Sequence, residues 1–127
     1  MKTLFICNAF SLSMLPEWAE GVSTKRLSSE EARQLVNQFA DKAVSAIGHA
    51  DTCQVFRGIL NAYLEPNRVS VRLENGVSCL VGQYQGPRLP EGATSLPEGA
   101  SIQWFLIEPK HVLVEYVPFD GEEDLDF

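Results

Sequence analysis

A histidine that follows a glycine and opens a helix is the feature of this sequence best suited to chemistry. It lies in Ala46-Ile47-Gly48-His49-Ala50-Asp51-Thr52. Gly48 lets the backbone turn with no side chain in the way. The residues after it begin a helix, whose first N–H groups lack partners and whose positive dipole end favours an anion. Imidazole is the side chain that exchanges protons near neutral pH. Together these features suit acid–base work beside a bound phosphate. A histidine near a helix start is also a common polar boundary residue, so other groups must converge on it. Arg68 follows Pro66 at an expected strand start and offers a positive charge. Arg88 and Glu91 fall in a loop, and Gln83 ends the strand before it. Asn8, Ser11 and Ser13 come straight after an apolar run. There they either line a crevice at the carboxyl end of a buried strand or satisfy loop backbone groups.

The elements that must position these residues can be read from periodicity. Thr3 to Asn8 is apolar on both faces and reads as a central strand. Gly21 to Leu27 is a short strand candidate. Ser28 and Glu31 form a capping box that starts a helix, and Ala32, Leu35, Val36, Phe39 and Ala43 recur at helical spacing along it. Lys42 to Ile47 is either a continuation of that helix or a short strand. A second helix follows Gly48, with Val55, Phe56, Ile59, Leu60 and Tyr63 as its apolar face and Pro66 as its stop. Arg68 to Leu73 alternates polar and apolar residues. With Asn75-Gly76 as a two-residue turn and Val77 to Gln83 as its partner, it predicts a hairpin. Ile102 to Ile107 and Val112 to Val117, divided by Pro109-Lys110-His111, predict another. Leu89-Pro90-Glu91-Gly92 recurs as Leu96-Pro97-Glu98-Gly99, two turns too few for a repeat architecture. The expected fold class is α/β: a mixed sheet of five to seven strands flanked by about two main helices.

At 127 residues the chain fits one domain, taken as residues 1–119 followed by an acidic tail over 120–127. No apolar run approaches the roughly 20 residues of a membrane helix. The N-terminus lacks the long apolar region and small-residue cleavage site of a signal peptide. A cytoplasmic location, in a bacterial or an infected host cell, is therefore expected. Cys7, Cys53 and Cys79 are scattered through apolar sequence and read as small buried hydrophobes of a reducing compartment. With two histidines and no clustered Cys/His spacing, neither a metal site nor a cofactor is expected. The net charge of −7 speaks against long DNA as a partner, because such binding rests on basic surface. Five carboxylates in the tail supply much of that charge, so a small anionic ligand in one pocket remains compatible.

Four blocks of the sequence, in order, resemble one family. The opening strand runs into Asn8-Ala9-Phe10-Ser11 and Met14-Leu15; Ile47-Gly48-His49 is followed by Thr52; Asn67-Arg68-Val69 and Arg88-Leu89-Pro90-Glu91-Gly92 complete the set. They resemble the viral ring nucleases of type III anti-CRISPR systems, small proteins of archaeal viruses that also occur in bacteria and their phages. The resemblance covers about the first hundred residues. The spacing from Gln83 to Arg88 is one residue longer than the family's, and the chain departs from the pattern after about Ile102.

The resemblance implies a homodimer that encloses one cyclic tetra-adenylate across its two-fold axis. It implies cleavage without a metal: a ribose 2′-OH attacks its neighbouring phosphorus while His49 protonates the departing 5′ oxygen. Ser11 would orient the 2′-OH, and Glu91 would help position His49 or the leaving group. Asn8, Ser11, Gly48, Thr52, Arg68, Gln83 and Arg88 would bind the ligand. Two other classes compete with this reading. One is a protein that sequesters or senses the cyclic nucleotide without turnover, which does not require a titratable group at position 49. The other is a regulatory protein of a mobile element, which the acidic charge and the lack of a basic recognition helix disfavour.

Overall fold

The computed structural model describes residues 2–74 and 76–111. Among these residues five strands form a mixed sheet, with two α-helices on one face. The strands are β1 (Thr3–Cys7), β2 (Gly21–Leu27), β3 (Ala43–Ser45), β4 (Val77–Gln85) and β5 (Ser101–Lys110), and the helices are α1 (Ser29–Phe39) and α2 (Ala50–Leu60). Spatial order is β2-β5-β4-β1-β3. β1 runs parallel to both β3 and β4, whereas β5 is antiparallel to both β4 and β2. Four strands therefore share one direction and β5 opposes them.

The capping box forms as expected. Glu31 N–H donates to Ser28 Oγ at 3.0 Å, and Ser28 N–H donates to Glu31 Oε1 at 2.9 Å. Hydrogen bonding to the Glu31 carboxyl from the Ser28 backbone N–H, and from the Ser28 side chain, holds it below its usual range. Helix α1 buries Ala32 and Val36, and with α2's Cys53, Phe56 and Leu60 they cover Leu4, Ile6, Leu80 and Trp104 of the sheet. Ala40, at φ 51°, ends the helical run, so Ala43 belongs to β3 and not to the α1 stripe. Of the two readings of Lys42 to Ile47, the strand is the one the chain adopts. The second helix stops earlier than expected: Asn61 takes the left-handed conformation after Leu60, five residues ahead of Pro66. Tyr63 consequently leaves the apolar face and is 71% exposed, with its hydroxyl donating to Glu65 at 2.6 Å.

Residues 68–73 do not pair with β4. Both edges of β4 are taken, by β1 and by β5, so the first predicted hairpin does not exist. The alternation was a true signal of two faces, since Val71 and Leu73 are buried while Arg72 is exposed. The segment crosses the helix-free face, where Leu73 N–H donates to the carbonyl of Met14 at 2.8 Å. Val71 and Leu73 there join Cys7, Cys79, Val81 and Ile107 in a second apolar cluster. In the second predicted hairpin the first strand extends through Pro109 and Lys110, as β5, with β2 on one side and β4 on the other. Its expected partner, Val112 to Val117, lies outside the described residues, as does the acidic tail. Pro109 is accommodated beyond the last β4 pairing, opposite Val22 of β2.

Candidate functional site

Because β1, β3 and β4 are parallel, the chain leaves all three at the same end of the sheet. β1 delivers Asn8 there, β3 delivers Gly48 and His49, and β4 delivers Tyr84 and the loop through Arg88. These exits enclose an open cleft of about 630 Å³ lined by Asn8, His49, Asp51, Thr52, Tyr84, Gly86, Arg88 and Leu89. Ligand crevices of α/β proteins form at this end of the strands.

His49 is the N-cap of α2, with extended backbone (φ −100°, ψ 131°), and its exposed side chain makes no capping bond. The first intrahelical bond runs from Cys53 N–H to the carbonyl of His49 at 3.0 Å. The N–H groups of Ala50, Asp51 and Thr52 precede it and have no intrahelical acceptor. An imidazole and a helix N-terminus thus face one space, a combination suited to a phosphate group. Asp51 adds a carboxylate in the same first turn, and one of its oxygens accepts from Gly92 N–H at 3.2 Å.

Arg68 reaches this region by a different route. Asn67 is clamped to the exit of β3, its N–H donating to the carbonyl of Ile47 at 2.8 Å and its side-chain amide to that of Ser45 at 2.8 Å. The next residue is thereby laid over Gly48. A Cβ on Gly48 would stand 2.9 Å from Arg68 Cγ and 3.4 Å from Nε. The missing side chain of Gly48 is what leaves room for the arginine stem.

The remaining residues are spread over several places. Asn8, His49, Thr52 and Arg88 converge on the first cleft. Gln83 points to the opposite face of β4, into a second concavity of about 400 Å³ lined by Asn8, Ala9, Phe10, Thr24, Val81, Gln83, Phe105 and Ile107. Asn8 at the end of β1 borders both. Ser11 caps a 3-10 turn over Leu12–Met14; its hydroxyl lies 2.9 Å from that of Ser13 and accepts from Ser13 N–H. Glu91 sits in the turn from Pro90 to Ala93. Neither Ser11 nor Glu91 lines the first cleft. Two lining residues, Tyr84 and Asp51, escape a reading of the sequence that picks Gln83 and His49 beside them. The Tyr84 hydroxyl donates to the carbonyl of Pro87 and braces the loop against β4. Its position one residue after Gln83 was the available signal, since adjacent strand residues face opposite sides.

The cysteines offer no nucleophile to this cleft. All three are buried. Burial pushes the Cys53 thiol up, and the hydrogen bond to Cys7 together with burial pushes that of Cys79 up.

Comparison with known proteins gives a consistent set of relatives. Residues 4–102 match the STIV B116-like family. Uncharacterized protein 26 of Sulfolobus islandicus filamentous virus (isolate Iceland/Hveragerdi) is 29% identical over 89 residues, which are 70% of this chain and 73% of that protein. The solved structure of B116 of Sulfolobus turreted icosahedral virus superposes with a TM-score of 0.72 at 25% identity, covering 84% of this chain and 98% of that one.

Proposed function

This chain belongs to the STIV B116-like family, and from its cleft around His49 we propose that it is a metal-independent ring nuclease acting on cyclic tetra-adenylate. The observation that carries the reading is the position of His49. It is an exposed imidazole at the unpaired N-terminus of α2, in a cleft shared with Arg88, Thr52 and Asn8. Such a group can donate a proton to the leaving oxygen of a phosphodiester held against the helix amides.

In this reaction the ribose 2′-OH gives its proton to solvent water as its oxygen bonds to the adjacent phosphorus, and the bond to the 5′ oxygen breaks. His49 supplies the proton that the 5′ oxygen takes up. Two such cuts release linear di-adenylates ending in 2′,3′-cyclic phosphate, and water then opens these to a 3′-phosphate. Proton donation by a positioned side chain is worth about 10²–10⁴ in rate. The α2 amides with Arg88 and Arg68 would stabilise the charge that develops on the phosphoryl oxygens. Tyr84 offers an aromatic wall against which a base can stack.

The size of the cleft supports a homodimer. A cavity of about 630 Å³ is of the order that accepts one drug-sized molecule. A ring of four nucleotides is larger, and its symmetry suits two equivalent clefts facing one another across a two-fold axis. Removing the messenger in this way would switch off type III CRISPR signalling.

The test is single-turnover incubation with radiolabelled cyclic tetra-adenylate in EDTA, beside His49→Ala. Conversion to di-adenylates by the wild type, slowed at least about 10²-fold in a variant that still binds, is the expected result. Tight binding with no cleavage by the wild type would make the protein a messenger sponge. Absence of both binding and cleavage would end the cyclic tetra-adenylate reading.

A further inference from the structure

The two Leu-Pro-Glu-Gly repeats fold alike, yet one of them has an extra attachment. Ala93 N–H donates to the carbonyl of Pro90, and Ala100 N–H to that of Pro97, each at 3.1 Å. Gly92 and Gly99 take φ values of +79° and +82°, as the third residue of a type II turn requires. Turn chemistry alone therefore accounts for both Pro-Glu-Gly sequences. The first turn in addition reaches across to α2, where Gly92 N–H meets Asp51 Oδ1 at 3.2 Å. Among the described residues this is the one hydrogen bond joining the 86–93 loop to that helix.

From this contact we infer that Asp51 is a positioning residue, which fastens the loop carrying Arg88 and Glu91 to the helix start that presents His49. The bonded N–H belongs to the peptide unit between Glu91 and Gly92. Holding that unit fixes where Glu91 leaves the turn, and the three residues back to Arg88 follow. Asp51 stands two residues after His49 on the first turn of α2, so one side chain sets the distance between the imidazole and the loop. The charge of Asp51 is a cost to a cleft meant for phosphate, since like charges repel across it. A hydrogen-bond acceptor at this position is useful to the site, whereas a negative charge there opposes it. The two properties can be separated, because asparagine keeps the acceptor oxygen and loses the charge.

The inference rests on the ring-nuclease reading only for its catalytic consequence. Wild type, Asp51→Asn and Asp51→Ala would be compared in two assays. The first needs no substrate: native-state trypsin cleavage at the Arg88–Leu89 bond, identified by mass, together with amide exchange over residues 86–93. A lost hydrogen bond of this kind should raise cleavage and exchange roughly fivefold in Asp51→Ala. Asp51→Asn should stay within about twofold of wild type. The second assay is cleavage of cyclic tetra-adenylate, where Asp51→Ala should lose kcat and Asp51→Asn should keep kcat with an equal or lower KM.

Unchanged protection in Asp51→Ala would overturn the inference. So would an Asp51→Asn protein as exposed as the alanine variant, because the carboxylate would then serve the helix end and not the loop. If no protein, wild type included, cleaves the cyclic substrate, the nuclease reading fails while the protection data still decide the role of Asp51.

Discussion

Arg68 lies across the α-carbon of Gly48, and the missing side chain is what leaves room for it. A methyl group at Gly48 would stand 2.9 Å from Arg68 Cγ, closer than carbon atoms approach one another without strain. The arginine stem would have to shift from its place over Gly48. Gly48→Ala should then weaken binding of cyclic tetra-adenylate about tenfold, the scale of one lost charge-assisted hydrogen bond. Arg68→Ala should do the same, and the double variant should be no worse than Arg68→Ala alone. Calorimetry on the four proteins checks this, and additive losses would mean that the two residues act separately. Places after a turn or a strand end drew attention to His49, Gly48, Asn8 and Arg88 in the sequence, and the family resemblance added Thr52. It could not say which side of β4 the cleft occupies, so Gln83 was visible as a candidate while Tyr84, on the His49 side, was not. Nor could it show that the Ser11 hydroxyl is engaged by Ser13, or that Asp51 meets a glycine 41 residues away.

Helix α2 owes its seat to a strand residue without a side chain. Trp104 of β5 lies opposite Gly82 of β4, and its ring meets Phe56 of α2 edge-on, with centroids 5.0 Å apart. A Cβ on Gly82 would come within 2.6 Å of Trp104 Cζ3 and 2.7 Å of Phe56 Cζ. Both rings are fully enclosed, and the Trp104 indole N–H has no acceptor among the described residues. Gly82→Ala should therefore cost about 1–3 kcal/mol of stability through overpacking. Because Phe56 is one turn along from Thr52, displacing it also moves the end of α2 that carries His49. A thermal melt beside a turnover assay should show a lower Tm and a lower kcat together. An unchanged Tm would mean that the rings have space to yield. Local signals found most of these elements: α1 through its capping box, β1 through apolar content, α2 through the glycine before it and its apolar face. The hairpin failed because an Asn-Gly turn and an alternating pattern describe neighbours in sequence. The partner that β4 takes is decided by β1, some seventy residues earlier.

Fold class was legible from the alternation of apolar strands with amphipathic helices, and strand order was not. Parallel pairing leaves no turn signature to read, so nothing local could say that β1 lies between β3 and β4. That arrangement is nevertheless what assembles the cleft from three separate chain exits. On the proposed ring-nuclease reading one cleft would hold part of a four-nucleotide ring, and the whole-molecule expectation is one ring per two chains. Titration calorimetry combined with sedimentation should give a dimer and half a ring per subunit. One ring per chain in a monomer would instead mean that a single cleft suffices.

The edge strand β2 has its pairing partner 77 to 89 residues further along the chain. Gly21 to Leu27 pairs with Trp104 to Lys110, and within the described sheet it pairs with no other strand. During translation, β2 and α1 leave the ribosome long before β5 exists to receive them. Their apolar side chains must wait for their sheet partner until residues 101–110 have been made. Closing such distant pairings is slow, and the exposed interval is when a nascent chain is most prone to associate wrongly. The cleft inherits that delay. His49 is synthesised early, yet it waits for β4 and the loop beyond it before it has a site to serve.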